Sequence, residues 1–259
     1  PSAIIDSTAT LEDGVEVQAF SIIEANVCIG AGTVVGPHCV VGAGTVLGKD
    51  NQLFSGAQVG ISPQDLKQVK GAVGQTIIGD GNIFRETVTV SSSTVYANDD
   101  IKKVTRIGSN CLFMACSHVA HDCIVGDKVI MANGAVLAGH VTVEDMAILG
   151  GIVGVHQFCT VGRMAFVGGL ARIAKDVLPY MICEGNPVKC FGPNAVGLER
   201  NGLDKAAIKR IRAMYKVLYR GTLNTSQALE KIEAEIEDSE EKQVILNFVR
   251  NSKRGIISK

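Results

Sequence analysis

Neither sign of charge dominates this 259-residue chain: the formal net charge is −1, which argues against generic nucleic-acid binding. Long apolar runs are missing too. No stretch approaches the roughly 18 uninterrupted apolar residues of a membrane span, and no basic-then-apolar leader precedes Ser2, so neither a span nor a signal peptide is expected. The chain opens on Pro1 without Met, which suggests that a few native residues are missing before it. It has eight cysteines but no Cys-x-x-Cys pair, which argues against a disulfide framework. Core thiols in a reducing cytoplasm are the expectation.

What is present is a beat of six. Aliphatic residues or their equivalents fall at Ile5, Leu11, Val17, Ile23, Ile29, Val35, Val41, Leu47, Leu53 and Val59. A short run, Ile78, Phe84 and Val90, follows, and a long one leads from Ile107 and Phe113 through Val119, Val125, Met131 and Leu137 to Ile173. Four positions after each member of the long run the residue is small, as in Cys111, Ser117, Cys123 and Cys159. Glycine often follows the aliphatic residue directly, as at Gly30, Gly126 and Gly150. A period of six is neither the two of a strand nor the 3.6 of a helix. It fits a short strand plus a corner, so three hexads close an 18-residue triangular coil. Glycine or Asn (Asn26, Asn133) is expected to supply the left-handed backbone of the corners. The fold expected is a left-handed parallel β-helix of hexapeptide repeats.

Two polar segments interrupt the beat, at 65–77 and 96–106, and read as loops extruded from corners. After Ile173 the pattern decays, and helical spacing begins near residue 194. Leu203, Ile208, Ile211, Tyr215 and Leu218 share a face behind Asp204 as a candidate N-cap, a second helix is expected after Asn224, Thr225 or Ser226, and Ser239 is the candidate cap of a third. The division expected is a β-helix domain over 1–190 and a C-terminal α-helical domain over 191–259. Residues 194–220 carry a local charge of +5, a candidate landing site for an acidic partner.

Four of the five histidines lie between 118 and 156. With 18 residues per coil, Asp122 and His140 stack on adjacent coils, about 4.8 Å apart. His121, Gly139 and Gln157 form the next column, with His156 beside it. None occupies an inward slot. Imidazole suits proton abstraction near neutral pH, and Gly139 offers a backbone N–H to an oxyanion. The set fits acyl transfer from a thioester to a hydroxyl or amine, with direct attack by the acceptor. A zinc site built from histidines such as His118 and His121 across a trimer, as in β-helix carbonic anhydrases, is the competing chemistry. A non-catalytic binding protein is the third reading.

PQDLK at 63–67, HVAHDCIVGD at 118–127, LAGHV at 137–141, VHQFC at 155–159 and GNP at 185–187 occur in an order that resembles the UDP-N-acetylglucosamine acyltransferases of lipid A synthesis. The resemblance implies transfer of a 3-hydroxyacyl group from acyl carrier protein, whose phosphopantetheine thioester serves as co-substrate, with no other cofactor and no resident metal. It implies His121 as general base, Asp122 as its support and Gly139 as oxyanion donor. Asp65 and Lys67 match residues that hold the sugar and its phosphates, His118, His140, His156 and Gln157 match the cleft, and Asn194 and Arg200 match the nucleotide end. Gly169 falls where acyl length is limited. A homotrimer with sites between neighbours is implied, and a basic helical face that receives the carrier protein. Val196, Asn201 and Pro187 depart from the family pattern, and the acceptor stays open between a 3-hydroxyl and a 3-amine. The related N-acyltransferase normally carries a further N-terminal domain before its coils. Here the coils begin at residue 5, which disfavours it. An acetyl-CoA-dependent acetyltransferase fits the Ala-His-Asp segment and the loops poorly.

Overall fold

A computed structural model describes residues 2–97 and 103–258. Among the described residues short strands form three sheets of nine, eight and ten strands, parallel throughout except for the last pair of the third. Successive strands visit the sheets in turn, so until the end of the coil each strand pairs with the one three further along. Ile4 pairs with Ile22 and Ile5 with Ile23, the 18-residue step of a triangular coil. In most two-residue strands the second residue points inward. Ile23, Val35, Val41, Phe84, Val119, Leu137 and Ile173 are all buried in one continuous core. Burial of each such side chain contributes about 1.5–3 kcal/mol, so a one-residue slip anywhere is strongly opposed. The small slot is inward as expected, and Cys39, Cys111, Cys123 and Cys159 are buried in it. The result is the left-handed β-helix expected from the repeat.

The corners differ from expectation in one respect. Their left-handed residue lies three positions after the inward aliphatic, and most of these are neither Gly nor Asn. Asn26 fits (φ 57°), but Asn133 does not, and Gly134 takes the positive φ instead. Asp122, His140 and Phe158 adopt φ of 59°, 62° and 64°. Coil stacking therefore imposes a conformation that these side chains would not choose alone. Glycines directly after the aliphatic residue serve another purpose: a Cβ on Gly42 would collide with the backbone of Gly60 in the next coil.

Both insertions are shorter than expected at their C-terminal ends. Residues 76–77 and 105–106 already belong to the wall, in strands Thr76–Ile78 and Thr105–Ile107. Their Thr76 and Thr105 side chains are buried, so polarity alone misassigned them. Each insertion lengthens the coil step, so that Gln58 pairs with Thr89 and Thr89 with His118.

The coil ends where Met181–Glu184 pairs in parallel with Phe166–Val167 and antiparallel with Lys189–Pro193, a strand that runs across residue 190. Four helices follow: α1 (Ala195–Arg200), α2 (Lys205–Arg220), α3 (Thr225–Glu235) and α4 (Glu240–Asn251). Asp204, Asn224 and Ser239 cap the last three, each accepting a hydrogen bond from a first-turn N–H. Helix α4 returns to the coil, where Ser252 donates to Asp176 and Arg163 pairs with Glu240 at 3.0 Å. No helix among the described residues is long and apolar enough to cross a membrane.

Candidate active site

One edge of the prism follows the strands His118–Val119, Val136–Leu137 and Gly154–Val155, and it gathers the histidines. Asp122 anchors the corner, with its side chain only 4% exposed. Its carboxylate accepts from the Thr94 N–H (3.1 Å) and the Thr94 hydroxyl (2.7 Å), and His121 Nδ1 lies 2.8 Å away. The Thr105 hydroxyl accepts from the Asp122 N–H. An ionised carboxylate only accepts, so this network assigns the proton to His121 Nδ1 and leaves Nε2 with its lone pair. Nε2 sits 3.9 Å from Asp65 Oδ2 at the mouth of the site.

Gly139 completes the arrangement. A Cβ there would overlap the Cε1–Nε2 edge of the His121 ring, so only glycine lets the ring lie against this backbone. Its N–H has no protein acceptor among the described residues. At the equivalent corner position of an earlier coil the Ala43 N–H donates to Glu24 at 2.8 Å, and on another edge the Arg163 N–H donates to Glu144 in the same way. A carboxylate oxygen is thus the partner that such a corner N–H takes elsewhere in the coil. The residue that would supply a carboxylate to Gly139 is Ala120, which cannot.

His140 Nε2 stands 3.6 Å from Asp122, and its ring is edge-on to His121 and stacked on Phe158. Burial pushes the His140 imidazole below the usual histidine value, against the pull of Asp122. His118 Nδ1 is 2.8 Å from the Thr89 hydroxyl, and burial lowers its pKa too. His156 and Gln157 are exposed, and His156 Nδ1 lies 3.4 Å from Arg254. Asp65 accepts from the Lys67 N–H and the Tyr96 hydroxyl, both at 2.8 Å, and these bonds hold its carboxyl below the usual range. The two insertions therefore meet over His121. The Lys67 side chain is exposed.

A groove of about 490 Å³ runs from Gln64 past His118, His121 and Gly139 to His156 and Arg172. A larger cleft, about 610 Å³, lies between the coil and α4 near Thr142, Glu144 and Phe248. It contains none of the histidines, and convergent titratable groups mark a site better than volume does. Ligand atoms of His121, Asp122 and His140 lie within 4.8 Å of one another. Asp122 is already committed to Thr94 and the Nδ1 proton, and His118 to Thr89, so the donor set suits proton transfer better than metal ligation.

A transferase hexapeptide-repeat profile matches residues 105–139, and a profile described as domain 2 of UDP-N-acetylglucosamine O-acyltransferase matches residues 176–257. The acyl-[acyl-carrier-protein]–UDP-N-acetylglucosamine O-acyltransferase of Aliivibrio fischeri strain MJ11 is 45% identical over 99% of this chain and 96% of its own. The chain belongs to the UDP-N-acetylglucosamine acyltransferase family. The Gloeothece citriformis enzyme of the same name is also 45% identical, over 71% of this chain and 64% of that protein. The crystal structure of the Francisella novicida UDP-N-acetylglucosamine acyltransferase superposes with a TM-score of 0.95 at 36% identity, covering 100% of this chain and 93% of that one.

Within this acyltransferase framework, three expected residues stand apart from the histidines in the single chain. Gly169 follows strand Phe166–Val167 and so lies on a different edge of the prism. Asn194 caps α1 and donates to the Met164 carbonyl, so its amide is in use, and Arg200 is exposed at the end of that helix. None of the three lines the groove. Conversely, sequence reading missed Thr89, Thr94, Tyr96 and Thr105. Thr89 and Thr105 begin strands, and Thr94 and Tyr96 lie where the second insertion starts.

Proposed function

We propose that this protein transfers an (R)-3-hydroxyacyl group from acyl carrier protein to the glucosamine 3-hydroxyl of UDP-N-acetylglucosamine, the opening reaction of lipid A synthesis, in the cytoplasm. One observation carries the reading: Asp122 holds the Nδ1 proton of His121, so that the Nε2 lone pair lies against a corner whose amide, Gly139 N–H, is unoccupied. His121 Nε2 takes the proton of the 3-hydroxyl as that oxygen attacks the thioester carbonyl. The tetrahedral oxyanion receives a hydrogen bond from the Gly139 N–H. Collapse expels the phosphopantetheine thiolate, which recovers the proton from the His121 imidazolium. Asp122 stabilises that imidazolium, and Thr94 keeps the carboxylate aligned. Burial disfavours the charged forms of His118 and His140 at the cleft.

Asp65 and Lys67 hold the sugar and its phosphates beside His121. Gly169, Asn194 and Arg200 act on substrate from a neighbouring chain of a homotrimer, in keeping with their distance from the histidines on one chain. The exposed Lys205, Lys209 and Arg212 on α2 receive the acidic carrier protein. The O-acyltransferase names of the relatives at 45% identity favour the hydroxyl over an amine. The test is turnover of purified protein with 3-hydroxyacyl carrier proteins of several lengths. UDP-N-acetylglucosamine and its 3-amino analogue serve as acceptors, and products are read by mass spectrometry. An ester product is expected; an amide alone would reassign the acceptor, and no product from either would end the proposal.

A further inference from the structure

The groove does not stop at the histidines. Along one sheet the outward positions His118, Val136, Gly154 and Arg172 pair in register, so Arg172 lies three strand spacings beyond His118, about 14 Å. Arg172 lines both the catalytic groove and a second, smaller cavity of about 210 Å³, which Lys175, Asn186 and Ser258 also line. Arg172 and Lys175 are exposed, and among the described residues neither has a carboxylate partner. The nearest acid in sequence, Asp176, is turned inward and is only 3% exposed. It accepts from the Thr160 N–H and the Ser252 hydroxyl, so it does not neutralise them. Arg254 adds a third positive charge, reaching the Ala174 carbonyl and His156 Nδ1. A low-acid pocket with two unpaired cations, opening into the groove, is complementary to a phosphate ester.

We propose that Arg172 and Lys175 form an anion subsite for a substrate phosphate, occupied by the phosphodiester of the carrier protein's phosphopantetheine arm. The inference rests on the acyltransferase reading above. Both substrates contain phosphate, and reach separates them. The acceptor's diphosphate is attached to the ring that carries the reacting hydroxyl, so it stays close to His121. The donor's phosphodiester is separated from its thioester by the whole pantetheine arm, which spans the three strand spacings when extended. With the thioester at His121 Nε2, the arm runs along Val136 and Gly154 and its phosphate meets Arg172.

The experiment compares the wild type with Arg172→Ala/Lys175→Ala, both substitutions at exposed positions, with thermal melts to check the fold. Steady-state kinetics vary donor and acceptor separately. The expected result is a KM for acyl carrier protein raised about tenfold, with kcat and the acceptor KM nearly unchanged. An acyl-pantetheine lacking the phosphate should be used equally by both proteins. A rise confined to the acceptor KM would assign the subsite to the nucleotide and overturn the donor assignment. Unchanged values for both would overturn the subsite while leaving the catalytic reading intact. Calorimetry with 4′-phosphopantetheine and with pantetheine provides a readout independent of turnover. The wild type should prefer the phosphorylated compound and the double variant should not; equal binding by the wild type would sink the subsite whatever the enzyme's activity.

Discussion

At Ala43 and at Gly139 the chain turns the same edge of the same prism, two residues past an inward aliphatic. In the N-terminal half the corner N–H is filled by a carboxylate from the coil before, Glu24. In the middle of the chain the corresponding residue is Ala120, and the Gly139 N–H stays open with His121 laid against it. The backbone is equivalent, and only the occupant differs. At Gly139 the structural hydrogen bond is missing, and the neighbouring residue of the coil before, His121, lays its ring against the corner instead.

Removing the base is the harshest way to break this contrast. His121→Ala should lower kcat by about 10²–10⁴-fold, the usual worth of a positioned general base, with the melting temperature little changed. Near-wild-type turnover would take His121 out of the mechanism. Restoring the plug comes next. Ala120→Glu should give Gly139 the partner that Ala43 has, and cost about 10²-fold in kcat, the scale of one lost oxyanion donor. The mirror change, Glu24→Ala, should leave turnover alone and cost at most about 1 kcal/mol of stability in a thermal melt. If Ala120→Glu remained fully active, the corner amide would not be the oxyanion donor.

The smallest expected effect concerns pH. Burial lowers the folded-state pKa of His118 below its unfolded value near 6.5. The unfolded chain therefore binds the proton more readily. The stability His118 contributes is full above that value and is lost as pH falls through the folded pKa. Melting temperature should decline below about pH 6.5, and His118→Asn should flatten the decline. An unchanged slope would place the acid sensitivity elsewhere.

Much of the site was legible because a strict 18-residue coil converts spacing into distance. That arithmetic placed Asp122 beside His140 and Gly139 beside His121, where the fold has them. It failed wherever an insertion lengthened the step. Thr94 reaches Asp122 over 28 residues, Thr89 reaches His118 over 29, and Tyr96 reaches Asp65 over 31. No period in the sequence predicts those partners.

The six-residue beat by itself determined the coil, its inward faces and the edge on which the histidines gather, because one aliphatic and one small residue per side can be buried in only one register. Helix caps at Asp204 and Ser239 were equally local, since each is a side chain meeting an N–H three residues on, whereas Asn224 was one of three candidates until the fold chose it. Tertiary structure alone decided the rest. It set which hydroxyls hold the Asp122 carboxylate, left the Gly139 amide without a protein acceptor among the described residues, and used Asn194 to cap α1. Those facts depend on where long insertions and stacked coils place groups remote in sequence, and no local rule records that placement.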